Sequence, residues 1–287
     1  MRVVVLCSSP YSETGCAMAA RLAQLGYVPS GALTLPAADK STLIRKLGQW
    51  GLRGSARYAW SKLAPRGAAP QSQVRNPHLG PALRHDGRVL RNLTEVAQAY
   101  GFPIFSSAEQ NSPRAIAQLR QWSPDLAIFT GGDILRKPLL DVPRLGVINS
   151  HLALLPEIRG MSSPEWSLLC GVPLGVTIHF MDTGIDTGPI LLRREFPHAG
   201  DCDSLMELRN RMIAFGIEMA GEAVAALDRG SLAATAQEAR GEDQGKDHGK
   251  DHGKDRQFFV MHDRLKAQAA RRLQQLRPAP LAGRANG

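Results

Sequence analysis

The chain of 287 residues has an ordinary globular balance, with 43% hydrophobic and 21% charged residues, so it can bury a sizeable core. No apolar run reaches the roughly 18–20 residues that span a bilayer. The apolar start, Met1–Cys7, is too short for a signal peptide. We therefore expect a cytoplasmic protein without a membrane span.

The net charge of +9 belongs to one segment of the chain. Between Asp39 and Arg91 there are eleven Lys or Arg residues and two acids, so the rest of the chain is formally neutral. Trp50, Tyr58 and Trp60 lie among these cations. One interpretation is a solvated basic cap over the core. The other is a surface for phosphates or anionic lipid, and we hypothesise that it guides an anionic acceptor.

Strands and helices alternate along the predicted fold, because short apolar runs alternate with capped segments of helical periodicity. The predicted strands are residues 2–7, 30–35, 103–106, 125–130, 146–149, 176–181 and 190–196, the last two as a hairpin. The predicted helices are residues 12–25, 43–50, 94–100, 112–122, 164–169, 203–227 and 261–276. This order predicts an α/β fold, with a Rossmann-like, mainly parallel sheet flanked by helices.

The predicted organisation has three parts. Residues 1–230 form the catalytic domain, with a basic insertion at 39–91 in which residues 65–90 resemble a loop. Residues 231–256 form a disordered polar linker with a Gly-Lys-Asp-His repeat. Residues 257–287 form a basic helix and tail, and the helix docks through one apolar side. That side comprises Met261, Leu265, Leu273 and Leu276.

Two smaller predictions concern Cys and His residues. The four cysteines form no Cys-x-x-Cys pair and are expected to be buried or half-buried free thiols. They are Cys7, Cys16, Cys170 and Cys202. His248 and His252 belong either to a solvated linker or to a weak metal site.

An apolar strand followed by a polar pair makes residues 146–160 the most informative stretch. Asn149 and His151 are two residues apart, so along a strand they point to the same side. The carboxyl ends of strands in an open α/β sheet face the ligand crevice. An amide and an imidazole there could stabilise negative charge on a carbonyl oxygen. The alternative is that both residues only form a turn.

A second stretch, residues 175–191, places two carboxylates in a glycine-rich loop between two strands. One carboxylate near the imidazole could orient it or relay a proton. The alternative is a structural turn in which aspartates bond local amides. Asp182 fits the turn well, whereas the residues alone leave both roles open for Asp186.

The two stretches together resemble the folate-dependent formyltransferase family. The family pattern is Asn-x-His, Leu-Leu-Pro-x-x-Arg-Gly, Gly-Val-Thr and Asp-x-Gly-x-Asp-x-Gly-x-Ile, in that order. This chain carries the four parts at residues 149–151, 154–160, 175–177 and 182–190, within a core region of 124–192.

The resemblance implies a mechanism and a catalytic trio. An amine attacks the formyl carbon of 10-formyltetrahydrofolate. Asn149 and His151 stabilise the tetrahedral oxyanion, while Asp186 holds His151 and assists proton transfer. No metal is implied.

The resemblance also implies where the folate binds. Its pteridine is expected between the loop after the 125–130 strand and the loop at 181–186. The residues expected to contact it are Gly131, Gly132, Asp133, Ile134, Leu135, Met181, Asp182 and Gly184.

Departures from the family narrow the expected acceptor. Residues 8–15 lack the Gly-x-Gly-Ser-Asn phosphate loop of glycinamide ribonucleotide enzymes. A polar linker and one helix follow Gly230, where methionyl-tRNA enzymes carry a β-barrel, so tRNA is not the expected acceptor. The expected function is formylation of an amine on a small, anionic acceptor, first of all a nucleotide-linked amino sugar. The alternatives are a methionyl-tRNA formyltransferase, a formyltetrahydrofolate hydrolase, or a non-catalytic binder of anionic ligands. The sequence leaves the oligomeric state open.

Overall fold

The computed structural model describes residues 1–37, 75–237 and 257–277. The chain divides into two units, Met1–Val147 and Ile148–Gly287. The predicted catalytic domain over 1–230 does not coincide with either unit, and it stays a prediction. Several predictions lie outside the described residues: the 43–50 helix, the aromatic residues among the cations, and the metal or linker role of His248 and His252.

The strands and helices are labelled in chain order. The strands are β1 (Val3–Cys7), β2 (Gly31–Thr34), β3 (Arg84–His85), β4 (Arg88–Val89), β5 (Ile104–Ser106), β6 (Leu126–Phe129), β7 (Gly146–His151), β8 (Arg159–Gly160), β9 (Gly175–Phe180), β10 (Ile190–Glu195) and β11 (Gln257–Phe258). The helices are α1 (Glu13–Gln24), α2 (Leu93–Tyr100), α3 (Pro113–Trp122), α4 (Lys137–Leu140), α5 (Ser163–Cys170), α6 (Leu205–Asp228) and α7 (Asp263–Gln275).

The first unit is built on a parallel sheet in the order β6–β1–β2–β5. All five residues of β1 are fully buried, as its continuous apolar pattern predicts. Helix α1 begins where Ser12 accepts a hydrogen bond from the Gly15 amide. A side chain at Gly15 would meet the Cys7 sulfur at 2.7 Å, so this glycine lets α1 pack closely on β1.

The region predicted as loop at 65–90 contains a hairpin in its described part. Strands β3 and β4 pair antiparallel around Asp86 and Gly87. Both turn residues have positive φ, 46° and 74°, the requirement of a tight two-residue hairpin turn. Leu83 and Leu90, on either side of the hairpin, are buried. The Asp-Gly pair is itself a hairpin signal, which the surrounding prolines and glycines obscured.

The second unit holds an antiparallel ladder in the order β7–β9–β10, with α6 packed against β9 and β10. Gly216 of α6 permits this approach to the sheet, because a side chain there would meet Ser150 Oγ at 2.2 Å. The predicted hairpin of β9 and β10 is confirmed. The predicted α/β class, with mainly parallel strand pairs and flanking helices, is also confirmed. Strand β7 extends to His151, two residues beyond the predicted end.

The C-terminal segment docks within the second unit, as predicted. Helix α7 contacts α5 and α6, and Met261 and Leu273 are buried. Leu276, predicted on the docking side, is 51% exposed because the helix ends at Gln275, and the small Ala269 is buried instead. The sequence analysis missed β11, which pairs parallel with β8.

The first residues of the predicted linker are hydrogen-bonded rather than disordered. Thr235 forms an isolated antiparallel bridge with Ile190, in which each amide donates to the other's carbonyl at 2.8 Å. The side chain of Gln237 donates to the carbonyls of Asp186 and Gly188. Only residues 238–256 of that linker lie outside the described ranges.

The four cysteines are free thiols. Cys7, Cys16 and Cys202 are buried, whereas Cys170 is exposed, contrary to prediction, because it is the last residue of α5. Burial raises the pKa of the Cys7 thiol to about 12, so this thiol is an apolar core group rather than a nucleophile. Among the described helices, none is long and apolar enough to cross a membrane.

A substitution at Gly160 tests the pairing of β8 with β11. Gly160 has φ of +94°, and a Cβ there would meet the Phe258 carbonyl oxygen at 2.2 Å. We expect Gly160→Ala to lower the free energy of unfolding by about 3 kcal/mol or more, because strain and displacement of β11 add together. Urea denaturation measures the loss.

Gly171→Ala is the matched control, since Gly171 has φ of +68° with nothing within 4 Å of the added carbon. It carries only the backbone strain, about 1 kcal/mol. Equal losses in the two variants would contradict the close contact between Gly160 and β11.

Candidate active site

Two predicted catalytic residues lie on one face of β7. Asn149 and His151 are separated by Ser150, whose hydroxyl lies on the α6 side of the strand against Gly216. Alternation therefore turns the amide and the imidazole to the opposite face. Asn149 is half-buried and His151 is 5% exposed. The structure thus places both residues within a strand rather than in a turn.

The neighbouring strand β9 adds two polar residues to the same face. In the antiparallel register, Asn149 pairs with His179, and His151 pairs with Thr177. The buried Thr177 hydroxyl donates to the Ala153 carbonyl at 2.7 Å and accepts from the Leu155 amide at 3.1 Å. Thr177 therefore fixes the chain that leaves β7 beyond His151.

The third predicted catalytic residue, Asp186, lies between the two imidazoles. Its Oδ2 is 3.4 Å from His151 Nδ1, and its Oδ1 is 3.5 Å from His179 Nε2. The same Oδ2 accepts a hydrogen bond of 2.8 Å from the Gly160 amide. The carboxylate is 14% exposed, so it keeps limited contact with solvent while three groups surround it.

The hydrogen-bond partners decide where protons lie on the imidazoles. His151 Nε2 is 2.8 Å from the Ile158 carbonyl and His179 Nδ1 is 2.8 Å from the Phe180 carbonyl, so both nitrogens donate. In a neutral His179, Nε2 then accepts from Asn149 Nδ2 at 3.4 Å. In a protonated His179, Nε2 donates toward Asp186.

The electrostatic balance favours an ionised Asp186. Burial alone would raise the pKa of this carboxyl group. The contact with the His179 ring, the charge of His151 and the Gly160 amide together hold the pKa below its ordinary value. Burial lowers the pKa of His151, and the Asp186 carboxylate opposes part of that shift. At 3.4 Å the His151–Asp186 contact is mainly electrostatic, because it exceeds ordinary hydrogen-bond length.

Backbone conformation separates the two aspartates of the loop. Asp186 has φ of 55°, in the left-handed region that non-glycine residues seldom adopt. Such strain often accompanies function. Asp182 instead accepts from the Gly184 amide at 3.0 Å and the Thr187 hydroxyl at 2.6 Å, and it is exposed. The geometry therefore gives Asp182 the local turn role and brings only Asp186 to the histidines.

The predicted donor-binding residues of the second unit begin this same loop. Met181 is half-buried, whereas Asp182 and Gly184 are exposed. A side chain at Gly188, where the loop returns, would meet the Phe180 carbonyl oxygen at 2.0 Å. The loop therefore closes tightly against the end of β9, and its contact with a donor stays a prediction.

The predicted donor-binding residues of the first unit follow β6. The fully buried Gln110 supports them: its backbone amide donates to the Asp133 carboxylate at 3.0 Å, and its side chain accepts from the Asp133 amide at 2.9 Å. A side chain at Gly132, where φ is +143°, would overlap Gln110. Leu135 is buried and Ile134 is 74% exposed. This loop is therefore rigidly shaped, with one apolar side chain presented to solvent.

Four supporting residues were missed by the sequence analysis. His179 carried a signal, since Thr177 and His179 repeat on β9 the polar alternation of Asn149 and His151. Gly160 acts through its backbone amide, which no side-chain pattern reports. Gln110 and Gln237 are far in sequence from the groups that they bind, so no local signal marks them.

Within residues 1–37, 75–237 and 257–277, no group of three or more His, Cys, Asp or Glu side chains is arranged to hold a metal ion. The expectation that no metal is required stays a prediction.

Comparison with known proteins identifies relatives of this chain. Residues 81–224 match the family model described as formyl transferase, which covers half of the chain. A methionyl-tRNA formyltransferase of Trichlorobacter lovleyi is 38% identical over 146 residues, which are 50% of this chain and 46% of the relative. One from Pseudomonas paraeruginosa is 39% identical over 145 residues, with the same shares. The chain therefore spans about half the length of the curated relatives that it matches.

Solved structures share the fold at lower identity. Glycinamide ribonucleotide transformylase 1 from Symbiobacterium toebii superposes with a TM-score of 0.52 at 20% identity, covering 83% of this chain and 94% of that one. A sugar N-formyltransferase from a Shewanella species gives 0.51 at 16%, covering 94% and 88%. At these identities the likeness extends to the fold alone. The family match over residues 81–224 shows that this chain belongs to the formyl transferase family.

Proposed function

We propose that the protein transfers a formyl group from 10-formyltetrahydrofolate to an amino group of an acceptor. Family membership supports the reaction class. The observation that carries the proposal is the cluster of Asn149, His151 and Asp186, in which a half-buried carboxylate lies 3.4 Å from an imidazole on the face shared with an amide.

The proposed roles follow from the chemistry of each group. As the acceptor nitrogen attacks the formyl carbon, negative charge develops on the formyl oxygen. Asn149 donates its amide N–H to that oxygen, and His151 assists when its ring is protonated. The ionised Asp186 stabilises a protonated His151 and accepts the proton that the attacking nitrogen loses.

The protons and bonds balance without an outside reactant. One C–N bond forms to the acceptor, and one C–N bond breaks to N10 of the folate. The acceptor nitrogen gives up one proton and N10 gains one. His151 and His179 each place a ring nitrogen 3.4–3.5 Å from an Asp186 oxygen, so this proton can pass among the three groups once these contacts shorten to hydrogen bonds in the substrate complex.

Contacts with the folate ring are proposed for both predicted loops. Hydrogen bonds between Gln110 and Asp133 hold the loop of Gly131–Leu135. The loop that starts at Met181 returns to the end of β9 at Gly188, which packs closely against Phe180. Rigid loops suit recognition by backbone groups, because little entropy is lost on binding.

Separate substitutions of the two loop aspartates test the assignment of Asp186. Asp186→Ala, Asn149→Ala and His151→Ala should each lower kcat by about a hundredfold or more, the scale of losing an oxyanion donor or an acid–base group. Asp182→Ala should instead raise the KM for the folate donor with kcat within about threefold of wild type, because Asp182 shapes only the turn. Steady-state kinetics with 10-formyltetrahydrofolate gives both constants. A fall of kcat in Asp182→Ala together with wild-type kcat in Asp186→Ala would reverse the roles.

The acceptor has two candidates that share phosphate chemistry. We propose first a small anionic amine, such as a nucleotide-linked amino sugar. Exposed arginines in the described part of the basic segment favour an anionic acceptor: Arg75, Arg84, Arg88 and Arg91. The relatives named as methionyl-tRNA formyltransferases favour methionyl-tRNA as the second candidate.

A direct competition separates these candidates. Mass spectrometry of reactions containing 10-formyltetrahydrofolate and either nucleotide-linked amino sugars or methionyl-tRNA should show one formyl group gained by a sugar. The rate should fall as salt rises, because phosphate recognition is screened. Formylation of methionyl-tRNA alone would overturn the first candidate, and release of free formate without an acceptor would indicate a hydrolase.

A further inference from the structure

Gln237 joins the two chain segments that present the groups around Asp186. Its side-chain amide donates to the Asp186 carbonyl at 2.9 Å and to the Gly188 carbonyl at 2.7 Å. Its side-chain oxygen accepts from Arg159 Nη2 at 2.9 Å. Arg159 precedes Gly160, whose backbone amide donates to the Asp186 carboxylate at 2.8 Å. One side chain therefore contacts the backbone of the carboxylate and the strand that donates to it.

The chain around Gln237 is itself held in place. Two residues earlier, Thr235 forms its antiparallel bridge with Ile190, the first residue of β10. This bridge brings residue 237 beside Gly188, where the loop returns to the sheet. The half-buried Gln237 side chain thus has a fixed backbone and three protein groups within hydrogen-bond distance.

The Asp186 backbone needs an external restraint. Its φ of 55° costs energy for a residue with a side chain. The carboxylate must also stay within 3.4–3.5 Å of two histidines. A backbone carbonyl held by a rigid donor resists the relaxation that would rotate the carboxylate away.

We infer that Gln237 is a positioning residue for the proposed formyl transfer: its side chain locks the Asp186 loop to the Arg159–Gly160 strand and so keeps the carboxylate between His151 and His179. Gln237 lies outside residues 81–224, which the family model matches. The expected effect on catalysis rests on the proposed function, whereas the positioning of Asp186 by Gln237 does not.

Two substitutions separate the donating from the accepting role of Gln237. Gln237→Met fills a similar volume and removes the hydrogen bonds to all three protein groups. Gln237→Glu keeps an acceptor for Arg159 but removes both donors to the loop carbonyls. Both variants should lower kcat by about 10–100-fold with little change in KM, the scale of a small misplacement at a reacting centre. The acid limb of the pH–rate profile should move to higher pH, because a carboxylate that leaves its donors while staying buried binds protons more readily.

A second measurement does not need turnover. The ring nitrogens of His151 and His179 are followed by two-bond ¹H–¹⁵N NMR as the pH changes. Loss of the nearby carboxylate should lower the midpoint of the His151 ring in the Met and Glu variants, because Asp186 opposes the lowering of its pKa by burial. The control is Gln268→Met, an exposed glutamine in the middle of α7, which should match wild type in both measurements and in melting temperature.

The outcomes are distinguishable. Wild-type kcat and wild-type histidine titrations in Gln237→Met would overturn the inference. Rescue by Gln237→Glu would overturn it too, since only the Arg159 contact would then matter. If the wild-type protein shows no formyl transfer, the proposed function is wrong. The NMR titrations would still decide whether Gln237 positions Asp186. If Gln237→Met does not fold, the Glu variant supplies the same titration.

Discussion

The site depends on one costly arrangement, an aspartate that is largely removed from water and ionised between two imidazoles. Removing a carboxylate from water is unfavourable by several kcal/mol unless donors replace the lost hydration. Asp186 receives one such donor from the Gly160 amide and has His151 and His179 within 3.5 Å. The combined effect holds its pKa below the ordinary value despite burial. Because its folded-state pKa is depressed, this group stabilises the fold above its ordinary pKa, and the contribution is lost as the pH falls through the folded-state value.

Several contacts within the second unit position Asp186 and the groups around it. The antiparallel register of β7 and β9 brings Asn149 opposite His179, so the amide can donate to the ring that faces Asp186. Glycines permit two close backbone approaches, Gly160 against Phe258 and Gly188 against Phe180. A side chain at either position would displace a segment that presents the carboxylate or its amide donor. The C-terminal segment therefore contributes to the site through backbone contacts.

Local patterns were sufficient to predict most elements. The buried runs of β1 and β6 act over a few residues, as do the caps at Ser12, Ser112 and Gly101, and the predicted ranges of these strands and of the capped helices lie close to the observed ones. Contacts between residues distant in sequence were not accessible. Strand β11 has two residues and exists because it pairs with β8, nearly a hundred residues earlier. The hairpin at 84–89 was missed although Asp86-Gly87 is a turn signal, because neighbouring prolines dominated the pattern.

The residues of the candidate site also fall into those that local patterns predict and those that depend on contacts between distant parts of the chain. Asn149 and His151 were predicted to share a face, which the alternation of a strand guarantees, and the structure gives them that face. The residues alone could not separate Asp182 from Asp186, because both lie in one glycine-rich loop. Three-dimensional contacts distinguish them: Asp182 bonds its own turn, and Asp186 faces two histidines. Gln237 acts through hydrogen bonds to segments some fifty to eighty residues away, so no periodicity could indicate it.

The ionisation of Asp186 is the measurement that tests this account most directly. In protein labelled with ¹³C at aspartate carboxyl carbons, the Asp186 resonance is identified by its absence in Asp186→Asn and followed as the pH is lowered. The account predicts a midpoint below the ordinary aspartate value of 3.8. Replacing His179 with Gln should raise that midpoint. A wild-type midpoint at or above the ordinary value would contradict a carboxylate held ionised between the two histidines.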